Sequence, residues 1–201
     1  MEVNYQPTRE GFNKWVHKYN VDIHEGVFEW VNNGENDDIF SGDPPEKQGP
    51  WGTARSVMTM SALLNAAKRQ FMLDINNSVV FANVAGAVGV GKASSYAEHE
   101  KMAHMLPTYD EVVQSPTRAK LPPPDRSDAI MVVTHRLANK MKSKDAEKVV
   151  TYVKRLPKAF GVPFVKMMLA RDRDLFLNEH VGAWSRENAD VLAVVNTIKV
   201  K

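Results

Sequence analysis

The chain of 201 residues contains no cysteine. This absence excludes disulfides, thiolate zinc sites and cysteine nucleophiles, and it fits a reducing compartment. The sequence also lacks an apolar run approaching the ~20 residues that a membrane helix needs, and its first residues lack the pattern of a secretory signal. With 43% hydrophobic and 25% charged residues, the composition is that of an ordinary globular protein. We therefore expect a cytoplasmic protein, in the host cytoplasm if its source is viral, with no membrane partner.

The formal net charge is only +2, which argues neither for nor against a polyanionic partner. The distribution of charge is more informative, because residues 1–50 hold ten acidic and four basic side chains, whereas residues 136–173 hold eleven basic and three acidic ones. A basic stretch of this kind can face nucleic acid or a partner protein. It can equally be a solvated helical face, and both interpretations stay open.

Proline and glycine separate segments of helical spacing along the chain, which predicts an all-α fold. Residues 78–84 are ambiguous, because an apolar run of this length fits a strand or a buried helix. Residues 34–50 predict a loop that is mobile or functional. The proline-rich residues 115–126 predict a semi-rigid linker, which would divide the chain into helical subdomains at 1–114 and 127–201.

A glycine-rich run at residues 86–93 nearly matches the phosphate-binding pattern G-x-x-x-x-G-K-[ST]. Lys92 occupies the lysine position, but Ala93 replaces the hydroxyl that binds magnesium, and Ser94 comes one residue late. One residue turns a helical side chain by ~100°, so Ser94 would miss the metal. The apolar segment 130–133 ends in threonine rather than in the acidic residue that holds magnesium. The run favours a helix junction, and a degenerate nucleotide site depending on Lys92 stays open.

Two histidines in the sequence HEKMAH suggest a metal site of the H-E-x-x-H type, but they are one residue too far apart. Side chains five positions apart, here His99 and His104, diverge by about 140° around a helix and cannot share one zinc ion. We therefore expect no metal site. Neither a Ser/His/Asp set nor a carboxylate pair is evident, and no catalytic residue is predicted.

The most informative motif is Gly52-Thr53-Ala54-Arg55-Ser56, a turn of small residues that opens a helix running from about Thr53 to Met72. An arginine in the first helical turn is disfavoured, because the helix N-terminus already carries partial positive charge. Such an arginine often has an anionic partner, and phosphate fits because guanidinium and backbone N–H groups both bind it. The alternative is an arginine that extends to solvent.

This turn and its helix resemble the start of the C-terminal helical lid of MoxR-like AAA+ ATPases, especially the phage-type members. The resemblance is loose but collinear over roughly residues 8–185, and the order of the segments carries it. The similar segments are residues 12–16, 28–31, 52–56, 63–68, 85–89, 106–111 and 152–157.

The resemblance implies that Arg55 is the sensor-2 residue, which reaches the γ-phosphate of ATP bound by a preceding αβ domain. Thr53 and Ser56 would flank it at the helix start. The family usually has proline where this chain has Ala54, which removes a favourable first helical residue without redirecting the arginine.

No Walker A, Walker B or arginine-finger segment is recognisable in the sequence. The resemblance therefore implies a lid and C-terminal extension that is not an enzyme by itself and holds no cofactor in isolation. ATP and magnesium would be supplied by a partner αβ domain, and neighbouring subunits or a remodelling client would be further partners. The alternative is a free-standing helical adaptor that binds protein or nucleic acid through residues 136–173.

Overall fold

A computed structural model describes residues 7–32, 34–40 and 49–188, together with residue 193. Every regular element in these residues is helical and none is a strand, which confirms the predicted all-α class. Contacts between residues divide the chain into two compact units, Met1–Ala103 and His104–Lys201.

The described residues of the first unit form five α-helices, of which the last ends one residue beyond the unit. They are α1 (Arg9–Lys18), α2 (Glu25–Val31), α3 (Ala54–Phe71), α4 (Ser78–Val88) and α5 (Val90–His104). Its core draws on all of these helices and is centred on the fully buried side chains of Trp30, Met60, Val84 and Tyr96. Aromatic and branched side chains at helical spacing supply this core, as the periodicity of the sequence predicts.

The ambiguous segment 78–84 is helical and belongs to α4. Asn77 decides the outcome locally, because its side-chain oxygen accepts hydrogen bonds from the backbone N–H groups of Val79 and Val80. This is the N-cap arrangement that satisfies the free donors of a first helical turn. The α4 helix then packs against α3 and buries Val80, Val84 and Val88.

The loop predicted over residues 34–50 is wrong for its first part. Gly34–Phe40 forms a 3-10 helix with a kink at Asn36, and the buried side chains of Ile39 and Phe40 join the core of the first unit. Burial of these apolar side chains supplies the stabilisation that the short helix itself lacks. Residues 41–48 of the predicted loop lie outside the described residues.

The second unit contains α6 (Tyr109–Gln114), α7 (Ser127–Lys140), α8 (Ala146–Val153), α9 (Gly161–Arg171) and α10 (Glu179–Glu187). The α7 helix packs against α9, and α8 packs against α6 and α10. A capping box opens α6, in which Thr108 accepts from the backbone N–H of Glu111 and the Glu111 carboxylate accepts from the N–H of Thr108. The sequence predicts this box from the T-x-x-E spacing.

The proline-rich segment 115–126 lies within the second unit and is hydrogen-bonded to it. The Tyr152 hydroxyl donates to the carbonyl of Lys120 at 2.7 Å, and Arg155 donates to the carbonyls of Pro116 and Ala119 at 2.7 and 3.0 Å. Backbone carbonyls that proline-rich chain leaves without helical partners are thereby satisfied. The segment is anchored to α8 and to the residues just after it.

Gly89 separates α4 from α5 and adopts φ +87°, a conformation that favours glycine over all other residues. A Cβ atom built there would lie 2.8 Å from the carbonyl oxygen of Pro50. The chain before α3 therefore passes directly over the backbone of the α4–α5 junction. Gly86, by contrast, lies within α4 with open space where a Cβ would be.

We predict that Gly89→Ala lowers the free energy of unfolding by about 1–3 kcal/mol, because it combines an unfavourable φ with a backbone clash. Gly86→Ala is the matched control and should be neutral or stabilising by up to about 1 kcal/mol, because alanine favours a helix. Urea denaturation of the two variants measures both effects. Equal stability of the two variants would contradict this account of the junction.

Candidate functional site

The start of α3 is held by a capping box made of two hydroxyl side chains. The backbone N–H of Thr53 donates to Ser56 Oγ at 2.7 Å, and the N–H of Ser56 donates to Thr53 Oγ1 at 3.1 Å. Ser56 Oγ also donates to the carbonyl of Trp51 at 2.8 Å. Thr53 and Ser56, which are predicted to flank Arg55 at the helix start, thus use their hydroxyls within the cap, and the first turn of α3 is fixed as a result.

Arg55 lies in this first turn and is exposed. Its guanidinium makes no hydrogen bond or ion pair with any described residue, and the first turn of α3 carries no acidic side chain. The partial positive charge of the helix end is therefore not compensated locally but reinforced. Arg55 therefore extends from the fixed first turn of α3, at a position where an external anion would be favoured.

A shallow cavity of 290 Å³ lies beside Arg55, between the start of α3 and α1. Phe12 and Trp15 from α1 and Met58 from α3 supply most of its apolar wall. Trp15 is 41% exposed, whereas Phe12 and Val16 of the same helix are buried. The site thus combines an exposed guanidinium, which has no partner among the described residues, with an apolar groove, and such a combination suits binding more than catalysis.

Lys92, the lysine of the near-match to a phosphate-binding loop, is engaged within the first unit. Its ammonium lies 2.6 Å from Asp38 Oδ1 and 3.1 Å from Asn36 Oδ1, and it lies 6.0 Å from the ring centroid of Trp30. The side chain is only 21% exposed. A phosphate-binding loop follows a strand, whereas residues 86–88 belong to α4 and Lys92 belongs to α5. The local structure is the helix junction that the sequence favours.

A buried polar cluster lies between α2 and α5 and is not evident in the sequence. The Tyr96 hydroxyl donates to Glu100 Oε2 at 2.9 Å and lies 3.4 Å from His24 Nδ1. Burial and the adjacent Glu100 carboxylate raise the pKa of Tyr96, and burial lowers the pKa of His24. The phenol is therefore a proton donor and the imidazole is neutral at pH 7. Only the four-residue spacing of Tyr96 and Glu100 could have indicated this contact.

The two histidines of the near-match to a zinc motif occupy different environments. His99 is buried in the core of the first unit, whereas His104 is exposed. Across the described parts of the chain, no group of three or more histidine or carboxylate side chains is close enough to hold a metal ion.

Three arginines of the basic stretch 136–173 are used inside the second unit. Arg136 is buried and donates to the carbonyl of Pro107 at 2.8 Å, and Arg155 binds the proline-rich segment. Arg171 donates to the carbonyls of Asn139 and Met141 at the end of α7. Burial lowers the pKa of Arg171. The guanidinium groups of these arginines satisfy backbone carbonyls at chain turns. Fewer of the positive charges in residues 136–173 are therefore available to bind a polyanion.

No family model, curated protein or solved structure matches this chain. Within the part of the chain that the structure describes, no helix is both long and apolar enough to span a bilayer.

We predict that Thr53→Ala lowers the free energy of unfolding of the first unit by about 1 kcal/mol, because the cap loses its acceptor. Arg55→Ala should change it by less than about 0.5 kcal/mol or stabilise slightly, because a cation leaves the positive end of α3. Urea denaturation compares the two variants. A loss above about 1 kcal/mol for Arg55→Ala would assign the arginine a structural role and remove it from the site.

Proposed function

We propose that this chain is a non-catalytic helical module of the kind that forms the lid of a MoxR-like AAA+ ATPase. In this proposal Arg55 binds the γ-phosphate of ATP held by a partner αβ domain, which supplies the nucleotide, the magnesium ion and the catalytic groups. The closing of such a lid over nucleotide couples the state of the ATP to movement of neighbouring subunits, and hence to assembly or remodelling of a client.

The observation that carries the proposal is the contrast between Arg55 and its surroundings. The cap hydroxyls of Thr53 and Ser56 are satisfied internally, yet the guanidinium between them is exposed and bonded to no described residue. An arginine offers two parallel donors to a phosphate, and the helix end adds a favourable field. The cap fixes the backbone of the first turn of α3, so the point from which the Arg55 side chain extends is set before an anion arrives.

Two features support a role that depends on a partner. The lysine of the glycine-rich run is committed to Asp38, so that residues 86–93 offer phosphate no free cation there. The groove next to Arg55 is apolar and opens to solvent at Trp15. An exposed apolar groove beside a charged group is typical of a surface that a second domain covers.

The adaptor interpretation has less support from the described residues. A polyanion needs clustered, mobile cations, whereas Arg136, Arg155 and Arg171 are bonded to carbonyls and Lys154 is paired with Glu187. The exposed lysines of the stretch, Lys142, Lys144 and Lys148 among them, remain available for such binding.

We predict that Arg55→Ala lowers ATP turnover about 10- to 100-fold when the chain is assayed with its αβ domain. This range corresponds to losing a charged hydrogen bond of about 1.5–3 kcal/mol in the transition state. Arg69→Ala is the matched control, because Arg69 is an exposed arginine of the same helix that is already paired with Asp22. It should leave turnover within about twofold.

Two outcomes would contradict the proposal. Unchanged turnover in Arg55→Ala would remove the sensor role. ATP hydrolysis by the chain alone, abolished by Lys92→Ala, would instead support the degenerate nucleotide site at residues 86–93.

A further inference from the structure

The turn that precedes α3 is formed by residues 49–53 and is named the cap turn. It packs against the α4–α5 junction. The Pro50 carbonyl lies against Gly89, where even a Cβ atom would come within 2.8 Å of it. Gly52 lies against the side chain of Lys92, and a Cβ at Gly52 would be 3.3 Å from Lys92 Cγ and 3.6 Å from Lys92 Cε. The junction thus touches the cap turn at both Pro50 and Gly52.

The Lys92 side chain is itself held at its far end. Its ammonium is bonded to Asp38 and Asn36 in the 3-10 helix 34–40, and Asn36 donates to the carbonyl of Trp30 at 2.8 Å. The alkyl stem of Lys92 therefore packs against Gly52, while its ammonium is bonded to a separate segment. Ile39 of that segment also lies 3.5 Å from the Cβ position of Gly52.

We infer that Gly89 and Lys92 are positioning residues for Arg55. They fix the cap turn against the junction, and the cap turn fixes the first turn of α3, from which the guanidinium extends. The glycine-rich run thus supports the backbone of the cap turn. What Arg55 binds in this position rests on the proposed function, whereas the packing of the cap turn against the junction does not.

The test uses amide hydrogen exchange in the intact chain, followed by NMR. The N–H groups of Thr53 and Ser56 report the cap, because both donate to cap hydroxyls, and the N–H of Leu64, in the middle of α3, reports the helix as a whole. Lys92→Met keeps most of the alkyl stem but removes the charge. We expect it to speed exchange at Thr53 and Ser56 about three- to fivefold, the upper part of the range for losing one partly exposed ion pair, with Leu64 within twofold of wild type.

Two further variants separate positioning from general destabilisation. Lys92→Arg keeps the charge and should restore slow exchange at the cap. Asp38→Asn removes the partner carboxylate and should reproduce the effect of Lys92→Met, with the double variant no faster than either single one. Exchange at Thr53 and Ser56 that is unchanged in Lys92→Met, or faster to the same degree at Leu64, would overturn the inference.

The result of the amide-exchange experiment does not depend on the proposed function. If the cap amides respond as expected but Arg55→Ala leaves ATP turnover unchanged, the packing of the cap turn against the junction stands and the sensor role fails. If both hold, Lys92→Met should also lower turnover, and should lower it no further in a chain that already carries Arg55→Ala. An additional loss in the double variant would show that Lys92 acts by another route than through Arg55.

Discussion

The close approach of the Pro50 carbonyl to Gly89 is the constraint on which the first unit depends. Any side chain at Gly89 would be strained, because its φ of +87° favours glycine and a Cβ atom there would lie 2.8 Å from the carbonyl oxygen. The contact brings the chain segment before α3 onto the junction of α4 and α5. The same unit packs α3 against α4. Within it, the first turn of α3 carries the exposed Arg55.

Among the described residues, several basic side chains of the first unit are paired with an acidic side chain, whereas Arg55 is not. Lys92 is bonded to Asp38, Arg69 is bonded to Asp22, and Lys14 is paired with Glu10 on α1. Arg55 has no such partner among the described residues and stands at the end of a helix where the local field disfavours it. An unpaired cation costs little stability at an exposed position, so the unit can carry Arg55 there without an internal partner, and the proposed anion would be an external one.

The sequence predicts local features well because their signals are local. Thr108 caps the helix that follows it, and α3 covers nearly the range that its composition indicates. The sequence does not distinguish a strand from a helix at residues 78–84, because the apolar run has no clear period. The N-cap at Asn77 makes the segment helical.

Contacts between residues that are far apart in the sequence lie beyond such signals. Lys92 and Asp38 are 54 positions apart, and Tyr96 and His24 are 72 apart, so only the folded chain reveals that the apparent phosphate-binding lysine is engaged. Arg55 is the exception, because the conflict between its charge and the helix end can be read directly from the sequence.

The central claim is that Arg55 contacts a γ-phosphate presented by another domain. The most direct measurement is the NMR shift of the Arg55 Nε–H group in the complex with the αβ domain, recorded with ADP and with a non-hydrolysable ATP analogue. The account predicts a shift with the analogue that is absent with ADP and absent without the αβ domain, because only then is a third phosphate within reach. Identical spectra with the two nucleotides would contradict it.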